Sequence, residues 1–236
     1  MATQVLQVRV LKYGPLVLQN LAWLVVMAAL LFIPAGDWIW PAGWVYLATM
    51  MVSAVLITVW LARHDPGLLA ERMKFPVRRE QPPWDRILTG LILLGFVGWT
   101  ALAAIDAVRF YWSEMPVILQ GLGWALIVAC MAIGWLTFRE NSFAAPVVRI
   151  QAERNQKVVS SGPYALVRHP LYAGALLFMI GQPLLLGSWL ALAASPVLVL
   201  LMAMRAVGEE RTLKAALPGY AEYMQKVRFR LAPGVW

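Results

Sequence analysis

The sequence predicts an all-α integral membrane protein: a multi-pass helical bundle of five to six membrane segments, the last two forming a helical hairpin, with a cytoplasmic C-terminal helix. Three observations carry this prediction. Hydrophobic residues make up 61% of the 236 positions and charged residues only 14%, far from the usage of soluble domains. Five stretches, 16–33, 38–62, 87–105, 115–138 and 171–204, contain no Asp, Glu, Lys, Arg or His, and each is long enough to cross about 30 Å of hydrocarbon as a helix. The 20 Lys and Arg fall two before the first stretch, six between the second and third, one between the third and fourth, five between the fourth and fifth, and six after the last. If the last stretch counts as two segments, nineteen of the twenty share one side, which the positive-inside rule makes the cytoplasm, with both termini in it. For a bacterial chain the membrane is then the inner one.

The elements follow in order. Residues 1–15 are a short basic lead-in that orients the chain, with Val5, Leu6, Val8 and Leu11 as the apolar side of an interfacial helix. No short apolar core with a small-residue cleavage site follows it, so the first segment is expected to stay. A turn at Pro34-Ala-Gly-Asp37 precedes Trp38, Trp40 and Trp44, and indole rings favour the headgroup layer, so these mark the outer interface. Residues 62–86 form a cytoplasmic loop in which Asp65-Pro66 starts a short helix to Lys74, its greasy side (Leu68, Leu69, Met73) laid on the bilayer. The third and fourth segments carry Gly90, Gly95, Gly98, Gly121, Gly123 and Gly134, small residues that let helices approach closely. Between them the loop 106–114 offers Tyr111 and Trp112 as further interface anchors.

The fifth stretch is too long for one span. Its 34 residues would make a helix of about 51 Å, and Gly-Gln-Pro at 181–183 and Gly-Ser-Trp at 187–189 interrupt it. A hairpin fits, and a hairpin brings its two ends together. One end is the stretch 158–174, Val-Val-Ser-Ser-Gly-Pro-Tyr-Ala-Leu-Val-Arg-His-Pro-Leu-Tyr-Ala-Gly. Gly162-Pro163 sets a tight turn there, and Pro170 takes His169 out of helical geometry while suiting the first turn of the next helix. The other end holds Arg205, Glu209 and Glu210. Arg168, His169, Tyr164 and Tyr172 therefore face Arg205, Glu209 and Glu210 at the cytoplasmic membrane edge. Singly, each has an ordinary structural explanation, such as an i,i+4 ion pair between Arg205 and Glu209; converging, they define a candidate site for a zwitterionic or cationic ligand.

Other chemistries are excluded or disfavoured. Cys130 is the one cysteine and there are two histidines, so no intrachain disulfide and no cysteine-based or multi-histidine metal site is expected. No nucleotide-binding glycine motif or H-E-x-x-H zinc motif occurs. The formal charge of +8 is mostly an orientation signal, with anionic headgroups as an added partner; nucleic acid is not an expected partner.

The run 160–174, with Glu209-Glu210 and the later Gly-Tyr-Ala-Glu-Tyr, resembles the isoprenylcysteine carboxyl methyltransferase family and the related phospholipid methyltransferases. The likeness covers about the C-terminal hundred residues, so the chain is read as membrane segments 1–138 and a catalytic region 139–236. The resemblance implies a multi-pass enzyme that binds S-adenosylmethionine at the cytoplasmic face and takes a lipophilic or lipid-like methyl acceptor from the bilayer. It places Gln151, Gly162, Tyr164, His169, Pro170, Leu171 and Tyr172 around the cofactor, with Glu209 and Glu210 facing it, and Arg205 near an acceptor carboxylate; Arg205, Glu210 and His169 are the implied catalytic residues. The spacing before Tyr220 departs by one residue from the eukaryotic members, which leaves open which of Glu209 and Glu210 is essential.

A sulfonium methyl is already activated, so such an enzyme has mainly to align acceptor, methyl and sulfur and keep water out. A carboxylate acceptor needs no base; an amine must lose a proton, and His169 is the nearby side chain of a type that can accept one. The expected function is membrane methyl transfer to an isoprenylcysteine-type carboxylate or similar group. A phospholipid amine and a small thiol stay open as acceptors, and an NADPH-dependent sterol-type reductase or a non-enzymatic membrane protein are the alternatives of another class.

Overall fold

The computed structural model describes the backbone of residues 2–236 and the side chains from Gly14 on; the apolar side expected of Val5, Leu6, Val8 and Leu11 lies outside those side chains. Eight α-helices follow in order: α1 (Ala2–Ala35), α2 (Pro41–His64), α3 (Pro66–Met73), α4 (Pro83–Ala104), α5 (Val117–Glu140), α6 (Pro170–Leu186), α7 (Trp189–Ala216) and α8 (Tyr220–Lys226). Five are long and apolar enough to cross a membrane, namely α1 from Gly14, α2, α4 with its extension to Arg109, α5 and α7. The sixth, α6, has 17 residues, about 26 Å of helix, and is the one most enclosed by its neighbours.

The hairpin turns at Gly187-Ser188. Gly187 ends α6 with φ +90, where a side chain would be strained, and the Ser188 side chain caps α7 by accepting from Ala191 N. Gln182 and Pro183 stay inside α6; the Pro183 carbonyl accepts from the Gly187 and Ser188 amides at the turn. Asp106, expected in a loop, is fully buried in a π-helical turn over Ile105–Arg109. It accepts from Ser113, Ser188 and the Leu190 amide, and so ties α4 to the hairpin tip.

Close approach of α5 and α6 rests on two glycines. A Cβ on Gly123 would sit 2.4 Å from Leu185 N, and one on Gly181 would sit 2.7 Å from Gly123 O. Gly121, Gly134, Gly90 and Gly98 have open space beside them, so the glycines do not share one packing role. Overpacking of a fitted contact typically costs about 1 to 3 kcal/mol. Gly123→Ala is therefore expected to lower the midpoint of thermal unfolding in detergent, with Gly121→Ala within error of the parent; equal midpoints for the two variants would refute the contact.

Deep among the spans, Tyr46 donates to Gln182 at 3.0 Å, Gln182 donates to Thr100 at 3.1 Å, and the Trp99 indole donates to Ala191 O at 2.7 Å. These bonds satisfy polar groups that hydrocarbon could not. Trp38, Trp44 and Trp112 are exposed, as an aromatic girdle requires, whereas Trp40 is buried against Phe32 and is a packing residue instead. The short helix α3 begins as expected, with Asp65 accepting from Leu68 N at 2.9 Å. Its apolar side turns into the protein, however: Leu68 packs against Leu61, Phe138 and Ala144, not on the bilayer.

Candidate functional site

At the end of the bundle that carries the basic loops, a cavity of about 280 Å³ opens between α3, the segment after α5, the loop before α6, α7 and α8. Its walls include Tyr164, His169, Pro170, Leu171, Tyr172, Arg205 and Glu209. The loop 158–170 is fixed from three directions. Gly162 has φ +56, and a Cβ there would meet the Glu140 side chain at 2.5 Å; Ser161 donates to the same carboxylate at 2.8 Å. Tyr164 accepts from Asn141 at 2.8 Å, and its carbonyl accepts from the Tyr223 hydroxyl at 2.8 Å. The Arg168 and His169 amides donate to Phe229 O and Arg230 O, both at 2.9 Å, which leaves Pro170 to start α6 at its first turn.

Two adjacent glutamates have opposite surroundings. Glu210 is buried and accepts from Arg168 at 2.6 Å and Arg230 at 2.9 Å, and lies 3.2 Å from His169 Nε2. Arg168 also donates to Val227 O and Arg228 O. Glu210 thus joins α7, the loop before α6 and the chain after α8. Glu209 lies on the cavity wall, accepts from the Tyr172 hydroxyl at 2.9 Å, and is 3.8 Å from His169 Nδ1. The His169 ring stacks on Tyr172 with centroids 5.4 Å apart, so the imidazole and phenol form one stiff wall beside Glu209.

Arg205 is held rather than free. It donates through Nε to Asp85 at 2.7 Å, through Nη1 to the Tyr172 hydroxyl at 3.1 Å and through Nη2 to Pro146 O at 2.8 Å. Asp85 is fully buried and also accepts from Gln81 at 2.6 Å and Val148 N at 3.1 Å. The cavity therefore does not belong to residues 139–236 alone, because Asp85 of α4 anchors its arginine and Arg72 of α3 lines it.

Three residues placed around the cofactor by resemblance do not face the cavity. Gln151 is buried in its own loop, donating to Phe143 O at 2.9 Å and accepting from Arg154 at 2.6 Å. Gly162 is turned to Glu140, and Glu210 is enclosed by its cations. Each shapes the site from behind. Sequence reasoning missed Asp85 and Arg72 as site residues; the one available signal for Asp85 was an acid in the first turn of a membrane span, where a carboxylate requires a partner.

Phenols on this side stay protonated. Burial raises the Tyr164 pKa, pushes Tyr223 up to about 12, and, with repulsion from Glu209 and Glu210, raises Tyr220. Beneath the site, burial pushes the Glu71 carboxyl up, but hydrogen bonds from Lys74, Arg78 and Arg149 outweigh it and hold the group down at about 2. That cluster pins α3 to Arg149 in the segment after α5.

Residues 122–215 match the model of the isoprenylcysteine carboxyl methyltransferase (ICMT) family, a segment that includes most of α5, the cavity loop, nearly all of the hairpin and both glutamates. Over 81 residues, 33% of this chain, the sequence is 38% identical to the cobalt-zinc-cadmium resistance protein CzcN of Cupriavidus metallidurans. The match spans 36% of that relative's length. Among the described residues, no group of three or more His, Cys, Asp or Glu is placed to hold a metal ion.

Proposed function

From the premise that residues 122–215 are ICMT-like, we propose that this protein is an S-adenosylmethionine-dependent methyltransferase of the membrane, acting on a lipophilic acceptor. The observation that carries the reading is the juxtaposition of two cavities. The polar one, about 280 Å³, abuts an apolar one of about 370 Å³ between α1, α2, α3, α5 and α6, and Arg72 and Leu171 line both. A polar cofactor and a greasy acceptor then meet at a shared wall.

The residues present fit such a cofactor. The carboxylate of Glu209 complements the positive charge of its amino or sulfonium group, and tyrosine faces give its rings a surface to stack on. S-Adenosylmethionine supplies a methyl group already activated by its positive sulfur. The chain's part is orientation and exclusion of water. Tyr172 fixes the Glu209 carboxylate by donating to it, and Arg205 fixes Tyr172 in turn. Glu209, His169, Tyr164, Pro170, Leu171 and Tyr172 are the proposed cofactor contacts, and Gln151, Gly162 and Glu210 hold their loop and helix in place. In-line displacement to an isoprenylcysteine-type carboxylate or similar group needs no base. The proposed setting is a multi-pass chain with both termini cytoplasmic, supported by nineteen of twenty basic residues on one side of the six-segment topology.

Calorimetric titration of the purified protein with S-adenosylhomocysteine and with NADPH tests this reading. Saturable binding of the first and none of the second is expected, and the reverse result would establish the reductase alternative. Losing a hydrogen bond or ion contact to a charged group costs about 1.5 to 3 kcal/mol, so Glu209→Ala is expected to weaken S-adenosylhomocysteine binding at least about tenfold while leaving the unfolding midpoint near the parent's. Unchanged affinity in Glu209→Ala would remove this glutamate from the cofactor site.

A further inference from the structure

Four arginines line the polar cavity, and three of them are paired with carboxylates: Arg149 with Glu71 and Glu153, Arg168 with Glu210, and Arg205 with Asp85. Arg205 is neutralised by buried Asp85 at 2.7 Å, with two further N–H groups committed to Tyr172 and Pro146. Arg72 comes from α3, outside the ICMT-like segment. Its guanidinium lies over the Phe138 ring, 4.2 Å from the centroid, and among the described residues donates once, from Nη1 to Ala144 O at 2.9 Å. A guanidinium has five N–H groups, and among the described residues no carboxylate pairs with this one. Residues 1–13, whose side chains are not described, contain no Asp or Glu.

Position adds to charge. Arg72 lines both cavities, with the polar one and Tyr164 to one side and the apolar one, walled by Trp23, Ile57 and Met131, to the other. An unpaired charge beside an apolar cavity among candidate membrane spans is unfavourable unless an anion completes it. We infer that Arg72 is the anion anchor of the acceptor site: it holds the negatively charged head of an amphiphile whose apolar chain occupies the cavity between α1, α2 and α5. The role implied by resemblance for Arg205 passes to Arg72, and Arg205 becomes a positioning residue that acts through Tyr172. Burial lowers the Arg72 pKa to about 10, so the anchor stays charged at neutral pH. A guanidinium is a planar bidentate donor, which suits a carboxylate or phosphate. The inference rests on the reading of the apolar cavity as the acceptor's place.

The test uses the whole protein in phosphatidylcholine nanodiscs, with dodecanoate as the anionic probe and dodecanol as its uncharged match, each corrected for partition into empty discs. The parent is expected to bind dodecanoate at least about tenfold more tightly than dodecanol. Arg72→Gln, which keeps a donor for Ala144 O, is expected to abolish that preference while leaving dodecanol and S-adenosylhomocysteine affinities within about twofold. Arg72→Lys, which keeps the charge, is expected to retain part of the preference, and it guards against a folding defect in the glutamine variant. Equal dodecanoate affinity in the parent and Arg72→Gln overturns the inference, as does a parent without the preference. Loss of S-adenosylhomocysteine binding in folded Arg72→Gln also overturns it, by assigning the arginine to the cofactor's carboxylate. A parent that shows the preference but binds no S-adenosylhomocysteine sinks the methyltransferase reading and leaves the anion anchor standing.

Discussion

Replacing Asp85 by alanine is expected to destabilise the protein by about 3 to 5 kcal/mol, the usual result of breaking a buried ion pair by removing one partner. Asp85 is fully buried and the Arg205 side chain is only 12% exposed, so solvent cannot take over the orphaned charge. The loss extends further, because the same carboxylate also accepts from Gln81 and the Val148 amide, and both would be left without an acceptor. Denaturant unfolding in detergent, followed by intrinsic fluorescence, measures the change. The double variant Asp85→Leu with Arg205→Met is expected to recover the part due to the orphaned charge, since an apolar pair of similar volume is often neutral in such a place, and to leave the part due to Gln81 and the Val148 amide. A single variant as stable as the parent would mean that Arg205 finds another partner.

The second large effect is expected at Glu210, and it should be of a different kind from that at Glu209. Glu210→Gln removes the charge that faces Arg168 and Arg230 and lies against His169; with the glutamate side chain 4% and Arg168 6% exposed, about 3 to 5 kcal/mol is again the expected scale. Arg168 and His169 also hold the chain after α8 through their amides, so the damage should be local first. Hydrogen exchange at those two amides is expected to speed up well before the spans lose protection, and S-adenosylhomocysteine binding falls as a consequence of the loosened loop. Full protection of both amides in Glu210→Gln would show that the carboxylate does not hold the loop.

The contrast between these two glutamates shows where sequence reading ends. The spans, the hairpin and the meeting of the loop before α6 with the end of α7 were legible because they depend on periodicity, length and the position of prolines and glycines. Which way each polar group points depends on neighbours far along the chain. Glu209 and Glu210 are consecutive, so a helix sends them roughly 100° apart, and the presence of Arg168 and Arg230 on one side decides which is enclosed. Gln151 and Gly162 belong to the same difficulty, since their partners are the Phe143 carbonyl in the loop after α5 and the Glu140 side chain at the end of α5, and no local pattern dictates the path of the chain that brings them together. Trp40 looked like an interface tryptophan because its type and neighbours are right for one, and it is buried because Phe32 of α1 offers it a packed surface. Asp106 looked like a loop acid because the π-turn that buries it has no sequence signature beyond the helix it extends.

The pairing of Asp85 with Arg205 has a further meaning during synthesis. The two residues are 120 positions apart, and at about 5 to 20 residues per second the carboxylate leaves the ribosome roughly 6 to 24 s before its arginine does. Through that interval α4 must rest in the membrane with a bare acid in its first turn. Water at the bilayer surface has to hydrate that acid, so α4 sits with Asp85 outside the hydrocarbon until α7 arrives. The arrival of α7 then supplies the arginine that pairs with this carboxylate.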